Sequence, residues 1–339
     1  MNRRVLLISA LFLFVSASIL SPLEGMIPWA LAADSTAKDF YQGKRMRILV
    51  QYAPGGSFDI HARWMARHLP KFTGAKTIVQ NIPGGGGVIG YNKLYKSRPD
   101  GLSVLTAHTK VVAFDLFKRK GVRYDFNKFT YLGRTMAPDT AILVKKGLPT
   151  DLDKLRKMKR IRIGASSPFY EGLMAEALGL SNISVVPGYG GFSGRIAAIL
   201  RGELDATMGS ITGALKFKDA VDILALVEAD PRMPEAPTLK TLNAAQPWLN
   251  YLISFSALMR ATVSSPNVDP RRSQFLQKVL RSLTEDPAAL KEAKRLKLQI
   301  TWDEPGVLRN QAKVFTQLKE KEVKNLKYII EKKYVGVLN

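Results

Sequence analysis

The sequence predicts an α/β protein of two lobes, each with a mainly parallel sheet covered by helices. Short apolar, β-branched runs alternate along the chain with helical segments, and this alternation is typical of parallel sheets. Several of the runs are followed at once by glycine-rich turns. The length of 339 residues corresponds to about two domains, at roughly 100–200 residues each.

The first third of the chain repeats a strand–turn–helix pattern. Glycine and proline turns separate each predicted strand from the element that follows it. The predicted elements are, in order, a strand at 46–52, a helix at 59–72, a strand at 77–80, a helix at 88–97 and a strand at 102–106.

The alternation continues to about residue 227, and helices predominate after that. A capping pattern at 150–153 and a proline at 168 mark helix starts. Three prolines at 231–237 indicate a connector. Beyond about residue 270 the pattern is helical and basic, and it ends in one predicted helix at 312–334. The other predicted elements are strands at 141–144, 161–163, 184–186, 204–208 and 223–227 and a helix at 193–200.

The composition excludes several classes of chemistry. Hydrophobic residues make up 46% and charged residues 23%, which is typical of a folded globular protein. The chain has no cysteine, which excludes disulfides, thiol nucleophiles, cysteine-ligated zinc, iron–sulfur clusters and N-terminal lipid anchors. Three histidines leave little for a histidine metal site, so no metal and no cofactor is expected.

The first segment of the chain has the pattern of a secretory signal. A basic start at 2–4 precedes an uncharged, mostly apolar run at 5–23, and residues 30–32 have the small-x-small spacing of a cleavage site. An uncleaved membrane anchor is the alternative, because the run is almost long enough to span a bilayer. Pro22 and the cleavage site favour removal, so we expect cleavage near Ala32 and a protein free in the periplasm.

The net charge of +23 invites a nucleic-acid or anionic-membrane interpretation. The basic residues are spread over the chain and interspersed with acids, as in the i,i+4 pair Glu320 and Lys324. The sequence contains no recognised nucleic-acid module. We therefore expect a solvated cationic surface whose field draws in small anions, and no nucleic-acid partner.

Three glycine-rich loops lie between a predicted strand and a predicted helix. In an open α/β sheet, ligands bind at the carboxyl ends of strands, where the N–H groups of a helix's first turn attract anions. The loops suit a carboxylate or phosphate, or else they make only tight turns. Gly85, Gly87 and Gly90 formally match the dinucleotide fingerprint, but Leu105 stands where a ribose-binding acid is needed.

The sequence contains no recognisable catalytic set, and we expect no enzyme. Residues 164–168 have proline where a nucleophile elbow needs glycine, and no HExxH motif occurs. His61 and His68 lie on one predicted helix without a carboxylate cluster, so surface or packing roles are expected. The acid pairs 151/153 and 303/304 are interpreted as helix caps or turn residues.

Five segments together resemble the Bug family, the periplasmic solute-binding proteins of tripartite tricarboxylate transporters. They occur in the family's order and span nearly the whole chain after the signal segment. The segments are Tyr52–Asp59 with Ala62–Arg63, Asn81–Gly90, Pro99–Leu105, Val186–Gly191 with Gly202–Asp205, and Arg232–Leu239.

The resemblance implies the two-lobed periplasmic-binding-protein fold, which closes over its ligand like a Venus flytrap. The implied domains are a signal peptide at 1–32, a first lobe at 33–137 and 256–339, and a second lobe at 138–255. A monomeric, non-enzymatic carrier is implied, which binds a small organic acid and delivers it to the membrane subunits of a transporter. An orphan receptor that presents the acid to a sensor kinase is the alternative; an exported hydrolase and a polyanion binder are weaker ones.

The ligand residues implied by the family lie in loops of both lobes. The family holds one carboxylate through backbone N–H groups and waters of two first-lobe loops, and the other end of the ligand meets the second lobe. The motif acids Asp59 and Asp205 would contact the ligand, hold a water or order their loops. The other implied residues are Ala53, Gly55, Gly56, Ser57, Gly85 and Gly86 in the first lobe, and Ser166, Ser167, Tyr189 and Gly191 in the second.

The end of the third predicted strand departs from the family. Thr106 and His108 at this end are included in the predicted site. A positive charge on His108 or Lys110 would favour an anionic or aromatic acid, although both side chains could equally face solvent. The loop at 164–169 lacks the family's usual glycines, so the particular acid is not predicted.

Overall fold

A computed structural model of the chain describes residues 36–137, 139–165, 169–189 and 191–334. The predicted signal peptide at 1–32 lies outside the described residues, and so do Ser166 and Ser167 of the predicted site. Within these ranges, no helix is long and apolar enough to cross a membrane.

Strands and helices alternate through the first two thirds of the chain. The strands are β1 Arg45–Val50, β2 Lys76–Asn81, β3 Ser103–Thr106, β4 Thr130–Met136, β5 Thr140–Lys145, β6 Ile161–Gly164, β7 Ile183–Val186, β8 Ala206–Ser210, β9 Val221–Leu226, β10 Ala261–Ser264 and β11 Ile300–Asp303. The helices are α1 36–41, α2 Ser57–Thr73, α3 Val88–Tyr95, α4 Lys110–Leu116, α5 Leu152–Lys157, α6 Phe169–Leu178, α7 Gly191–Leu200, α8 Ile211–Lys216, α9 Trp248–Leu258, α10 Pro270–Glu285, α11 Pro287–Arg295, α12 Pro305–Thr316 and α13 Glu320–Tyr328, which continues as a π-helical turn at Ile329–Lys333.

The strands form two sheets. The first has the order β11-β4-β10-β3-β1-β2 and the second the order β7-β6-β8-β5-β9. In the first sheet β1, β2 and β3 are parallel, and β4 points the same way because both β3 and β4 run antiparallel to β10. In the second sheet β5 alone runs against the other strands. Most strands of each sheet therefore share one direction, which confirms the predicted two-lobed α/β class.

The chain passes between the two sheets twice, after β4 and after β9. The strand that follows each crossing, β5 or β10, is inserted antiparallel into the middle of its sheet. The start of β10 therefore lies at the edge where β3 and β4 end. This insertion brings residues from either side of a crossing to the same edge of the sheet.

Helix α2 fixes the position of the first glycine loop. Its apolar side chains at helical spacing, Trp64, Met65 and Leu69, are at most 1% exposed. The Trp64 indole N–H donates to the Ala289 carbonyl at 2.9 Å. Burial of each such side chain contributes about 2–3 kcal/mol. The helix ends at Gly74, which adopts a left-handed conformation at φ 66°.

The C-terminal third differs from the sequence prediction in two places. Strand β11 interrupts the predicted helical region, where it pairs antiparallel with β4. The single helix predicted at 312–334 is wrong, because α12 ends at Thr316 and α13 begins at Glu320. The Glu322 carboxylate accepts the Lys319 N–H at 2.7 Å, which caps a new helix start.

The predicted lobe boundaries stay a prediction. The five strands between the two crossings, β5 to β9, make up the second sheet. The end of the described chain also contacts this part of the molecule: the Tyr334 carbonyl accepts the Val185 N–H at 2.8 Å, and its hydroxyl lies 2.6 Å from Glu176.

Candidate functional site

The candidate site lies at the edge of the first sheet where β1, β2 and β3 end. Because parallel strands end at one edge, the loops that follow them converge there. Most of each of the first two loops is exposed, namely residues 53–57 after β1 and 83–86 after β2. The structure therefore brings together Ala53, Gly55, Gly56, Ser57, Gly85 and Gly86 of the predicted site.

Helices α2 and α3, which start at this edge, have no side-chain caps, whereas the Lys110 N–H at the start of α4 donates to His108 Nδ1. Helices α2, α3 and α4 begin after Gly56, Gly87 and Thr109, and none of these residues accepts a hydrogen bond from the first turn through its side chain. By contrast, Asp151, Asp269 and Asp286 cap α5, α10 and α11. The first-turn N–H groups of α2 and α3 thus remain available for an external acceptor, and the helix dipole favours an anion there.

Asp59 orders the first loop from below. The carboxylate is 3% exposed and accepts the Gly55 N–H, the Arg63 guanidinium and the Asn81 amide, each at 2.9 Å. Burial alone would raise the pKa of Asp59, but these hydrogen bonds outweigh it and lower the pKa to about 2. Asp59 is therefore ionised, and its carboxylate already accepts the Gly55 N–H, which is not free to bind a ligand.

The second loop is a tight turn of consecutive glycines. Gly85–Gly87 form a single 3₁₀ turn, with Gly86 at φ 71°. A Cβ at Gly86 would lie 3.2 Å from the Phe114 ring, so a side chain is disfavoured here by both backbone and space. This crowding also makes Gly86→Val unsuitable as a test of ligand binding alone.

The loop after β3, residues 107–109 and called the third loop below, presents a neutral imidazole. The His108 N–H donates to the Tyr91 hydroxyl at 2.7 Å, and the Lys110 N–H donates to His108 Nδ1 at 3.1 Å. Burial, with Lys110 and Arg260 nearby, holds the pKa of His108 well below its ordinary value. The lowered pKa argues against the positively charged His108 that was considered from the sequence, because the ring is buried beside cations. Thr106, also in the predicted site, is 2% exposed and lies beneath the loop.

Aromatic rings connect the loops of the first sheet to α6, and the region that these rings border between the two sheets is called the cleft below. Phe58 stacks on His108 with 5.6 Å between ring centroids, and Tyr52 packs edge-on against Phe58 at 5.3 Å. His108 in turn faces Tyr170 of α6 at 6.5 Å. These rings thus run from the first lobe to the second, and the Tyr170 hydroxyl contacts Thr109 Oγ1 across the cleft.

A carboxylate and two cations meet where α6 faces the third loop. Glu171 is 5% exposed, and Arg195 of α7 is 6% exposed. Burial raises the pKa of Glu171 to about 7, although Arg195 and Lys110 act in the opposite direction. Arg195 is held by Thr207 Oγ1 at 2.7 Å and by the Met208 carbonyl at 3.0 Å.

Arg260 lies at the floor of the cleft, one residue before β10. The side chain is 5% exposed, and its Nη2 donates to Ser57 Oγ at 2.9 Å. The guanidinium carbon lies 3.9 Å above the Phe58 ring centroid. Burial lowers the pKa of Arg260 to about 10, with Asp139 and Tyr52 acting against this, so the group stays charged near neutral pH.

Asp139 lies at the first crossing, opposite Arg260. It is 9% exposed, and burial raises its pKa to about 6, against the effect of Arg260 and Arg232. Arg232 Nη2 approaches its carboxylate at 3.8 Å and makes a shorter 2.7 Å bond to Asp230. Asp139 also accepts a backbone hydrogen bond from Thr212, so its carboxyl group is partly compensated at the point where the chain first crosses between the sheets.

Two predicted site residues have their contacts elsewhere. Asp205 precedes β8 and accepts two hydrogen bonds from the Arg162 guanidinium, at 2.9 and 2.8 Å. It lies at the amino end of β8, about 16 Å along the strand from the carboxyl end at roughly 3.3 Å per residue, and its bonds to Arg162 fit the ordering role that the motif also allows. A ligand contact of Asp205 stays a prediction. The Tyr189 hydroxyl donates to the Glu203 carboxylate, which lies beyond the C-terminal end of α7. Gly191 is the first residue of α7.

The predicted roles of His61, His68 and Asp151 are confirmed. The capping role predicted for Asp303 and Glu304 is wrong, because Asp303 ends β11 and pairs with Arg134, and Glu304 precedes α12 without a side-chain cap bond. His61 Nε2 bonds to Thr135 Oγ1 at 2.9 Å, and His68 Nε2 bonds to Glu292 at 2.6 Å. Asp151 caps α5 through the Lys154 N–H. Within the described ranges, no group of three or more His, Asp or Glu side chains is placed to hold a metal ion.

Four charged and aromatic residues of the cleft were not predicted from the sequence, namely Arg260, Asp139, Tyr170 and Glu171. The signal available was weak: Asp139 and Arg260 each stand immediately before an apolar strand that follows a crossing. Their neighbours are distant in sequence, as in the Arg260–Ser57 pair, which is separated by 203 residues.

Comparison with known proteins agrees with this fold. No family model matches the chain. A UPF0065 protein of Pseudomonas sp. (strain P51) is 25% identical over 287 residues, 80% of this chain and 82% of the relative. A UPF0065 protein of Agrobacterium vitis is 26% identical over 230 residues, 64% of this chain and 65% of the relative, just under two thirds of its length. BugT of Bordetella pertussis is 37% identical over 87 residues, 26% of this chain and 27% of BugT.

Solved structures share the two-lobed fold. A TctC solute-binding protein from Polaromonas has a TM-score of 0.67 at 17% identity, and covers 86% of this chain and 99% of its own. Periplasmic binding protein BugD has a TM-score of 0.61 at 20% identity, with 85% and 98% covered. MatC from Rhodopseudomonas palustris, solved with bound malate, has a TM-score of 0.60 at 18% identity, with 85% and 99% covered.

The fold is thus the two-lobed one of these solved solute-binding proteins. The chain is similar in sequence to UPF0065 proteins and BugT and in fold to TctC and BugD, which confirms the resemblance to the Bug family drawn from the glycine loops.

Proposed function

We propose that the protein is a periplasmic receptor for a small organic acid, which it delivers to the membrane subunits of a tripartite tricarboxylate-type transporter. The observation that carries the proposal is the set of uncapped helix starts at one exposed sheet edge, those of α2 and α3 above all. Charge-assisted hydrogen bonds from such N–H groups to a carboxylate are short and strong. The malate held by the related fold of MatC supports the same ligand class.

The cleft gives the acid a second, apolar surface. Tyr52, Phe58 and His108 form this surface beside the first loop, and Tyr170 extends it to the other lobe. Closure of the lobes brings these groups together. A ligand drives closure only by the difference between its affinities for the closed and open arrangements.

The receptor role has an alternative partner, a membrane sensor kinase. Delivery to a transporter rests on the family resemblance, and the cleft itself serves either partner. An uptake assay distinguishes the two partners. Cells that carry the transporter's membrane subunits should take up the acid, and deletion of the gene for this protein should abolish that uptake. Signalling without uptake would favour the sensor.

Binding of an organic acid is expected to raise the melting temperature of ligand-free protein. At a concentration 100 times the dissociation constant, one ligand stabilises the folded state by about 2.7 kcal/mol, or roughly 5 °C for a protein of this size. Malate, citrate, glutamate and benzoate, each assayed by differential scanning fluorimetry after unfolding and refolding on a column, form a suitable first panel. If a wider panel of mono-, di- and tricarboxylates also gives no shift, the organic-acid proposal fails.

Loss of the contact across the cleft is expected to weaken ligand binding modestly. Tyr170→Phe removes the hydroxyl that contacts Thr109, and one such hydrogen bond is worth about 0.5–1.5 kcal/mol, or roughly 3- to 10-fold in affinity. Calorimetry should show the loss, with a faster dissociation rate. The exposed Tyr328 supplies the control, since Tyr328→Phe should leave affinity unchanged. Equal affinities of Tyr170→Phe and wild type would show that this contact does not stabilise the closed form.

A further inference from the structure

We propose that Arg260 is a specificity-determining residue that binds a carboxylate of the ligand directly through its free guanidinium nitrogen. This rests on the proposed function and deepens it, because the site then selects for charge by a side chain as well as by backbone N–H groups.

The first argument is the incomplete pairing of a buried cation. Nη2 of Arg260 is bonded to Ser57, whereas Nη1 is buried and, among the described residues, has no hydrogen-bond partner. A buried charged donor without a partner is costly, and native proteins rarely retain one without a reason. A ligand carboxylate at Nη1 would complete its pairing.

The Arg260 guanidinium lies beside the start of α2. Ser57 belongs to the exposed first loop and is the first residue of the uncapped helix α2. A carboxylate bound at this helix start is therefore next to the guanidinium that already touches Ser57. Asp139 is the acid whose charge acts most strongly on the pKa of Arg260. Burial raises the pKa of Asp139, and Arg232 also approaches its carboxylate, at 3.8 Å.

The third argument is the backbone of Arg260 itself. Its φ is 73°, a left-handed conformation that is uncommon outside glycine. The strained residue is held by its N–H, which donates to the Ala107 carbonyl at 2.8 Å, beside the third loop. Strain of this kind clusters at ligand sites, and here it aims a long side chain under the first loop.

The test compares four variants by calorimetry, with the acid among malate, citrate, glutamate and benzoate that shifts the wild-type melting temperature. Arg260→Gln should lose affinity by roughly 30-fold or more, because a charged hydrogen bond to the ligand is removed. Ser57→Ala removes only the link to the loop and should lose less than about 5-fold. Arg260→Lys keeps the charge and should recover most of the loss.

A second buried arginine provides the matched control. Arg134 is 7% exposed and donates to Asp303 and the Ala257 carbonyl, each at 2.8 Å. Arg134→Gln should lower stability and leave affinity within about 2-fold. Circular dichroism and melting temperature establish that each variant is folded.

The outcomes separate the proposals. If Ser57→Ala loses as much affinity as Arg260→Gln, Arg260 acts only by ordering the loop and the inference is overturned. Unchanged affinity in Arg260→Gln overturns it as well. If wild-type protein binds none of these acids, nor any acid of the wider panel, the proposed function itself fails, which is a different result from failure of Arg260 alone.

Discussion

Gly56→Val is expected to reduce affinity for the organic acid by about 100-fold or more while the protein stays folded. Gly56 precedes α2 with φ −80° and ψ 169°, a conformation that valine adopts readily. A Cβ at Gly56 meets no atom within 4 Å, so the side chain enters the open cleft beside the first-turn N–H groups. Two lost charge-assisted hydrogen bonds at about 1.5 kcal/mol each account for a change of this size.

The matched control for this substitution is Gly306→Val. A Cβ at Gly306 would also meet no atom within 4 Å, and this residue lies at the start of α12, away from the three loops. Both variants should keep the wild-type circular dichroism spectrum, and calorimetric titration should show a loss for Gly56→Val only. Wild-type affinity in Gly56→Val would contradict the assignment of the first loop to the ligand.

Glu171→Gln is expected to stabilise the ligand-free protein at alkaline pH. The pKa of Glu171 is raised to about 7 in this structure, against an ordinary value of 4.5. Between these values the folded state binds more protons than the unfolded state, so stability falls as pH rises from about 4.5 to 7 and stays reduced above that. At about 1.4 kcal/mol per pKa unit, ionisation of Glu171 lowers the free energy of unfolding by roughly 3 kcal/mol. The neutral glutamine amide removes this loss.

Thermal denaturation at pH 5 and pH 8 checks this prediction. The gain in melting temperature should be roughly 5 °C at pH 8 and much smaller at pH 5. Glu176→Gln, on the same helix, is the control, because Glu176 is paired with Lys333 and Tyr334 and should gain nothing at pH 8. An equal gain of Glu171→Gln at both pH values would show that ionisation of Glu171 is not the cause.

The loops of the first lobe could be predicted because their information is local. A strand, a glycine turn and a helix start follow one another within a dozen residues, and parallel pairing then brings the ends of β1 and β2 together. The role of Asp205 could not be decided in this way, since its motif does not reveal that the residue stands at the beginning of β8, away from the edge where that strand ends.

The charged floor of the cleft could not be predicted from the sequence. Arg260 reaches Ser57 only because β10 is inserted antiparallel between β3 and β4, which reverses the expected direction of the strand. The break between α12 and α13 was also hidden, because Phe315, Leu326 and Ile330 are buried on both sides of it and so maintain a continuous apolar stripe in the sequence.

The most direct test of the central claim is the identity of the small molecule that the protein retains when it is purified from its native cells. Mass spectrometry of the supernatant after denaturation should detect one organic acid in a ratio near one per chain, absent from a Gly56→Val preparation. A neutral sugar or a peptide without a free carboxylate, retained at the same ratio and lost from the same variant, would contradict the account.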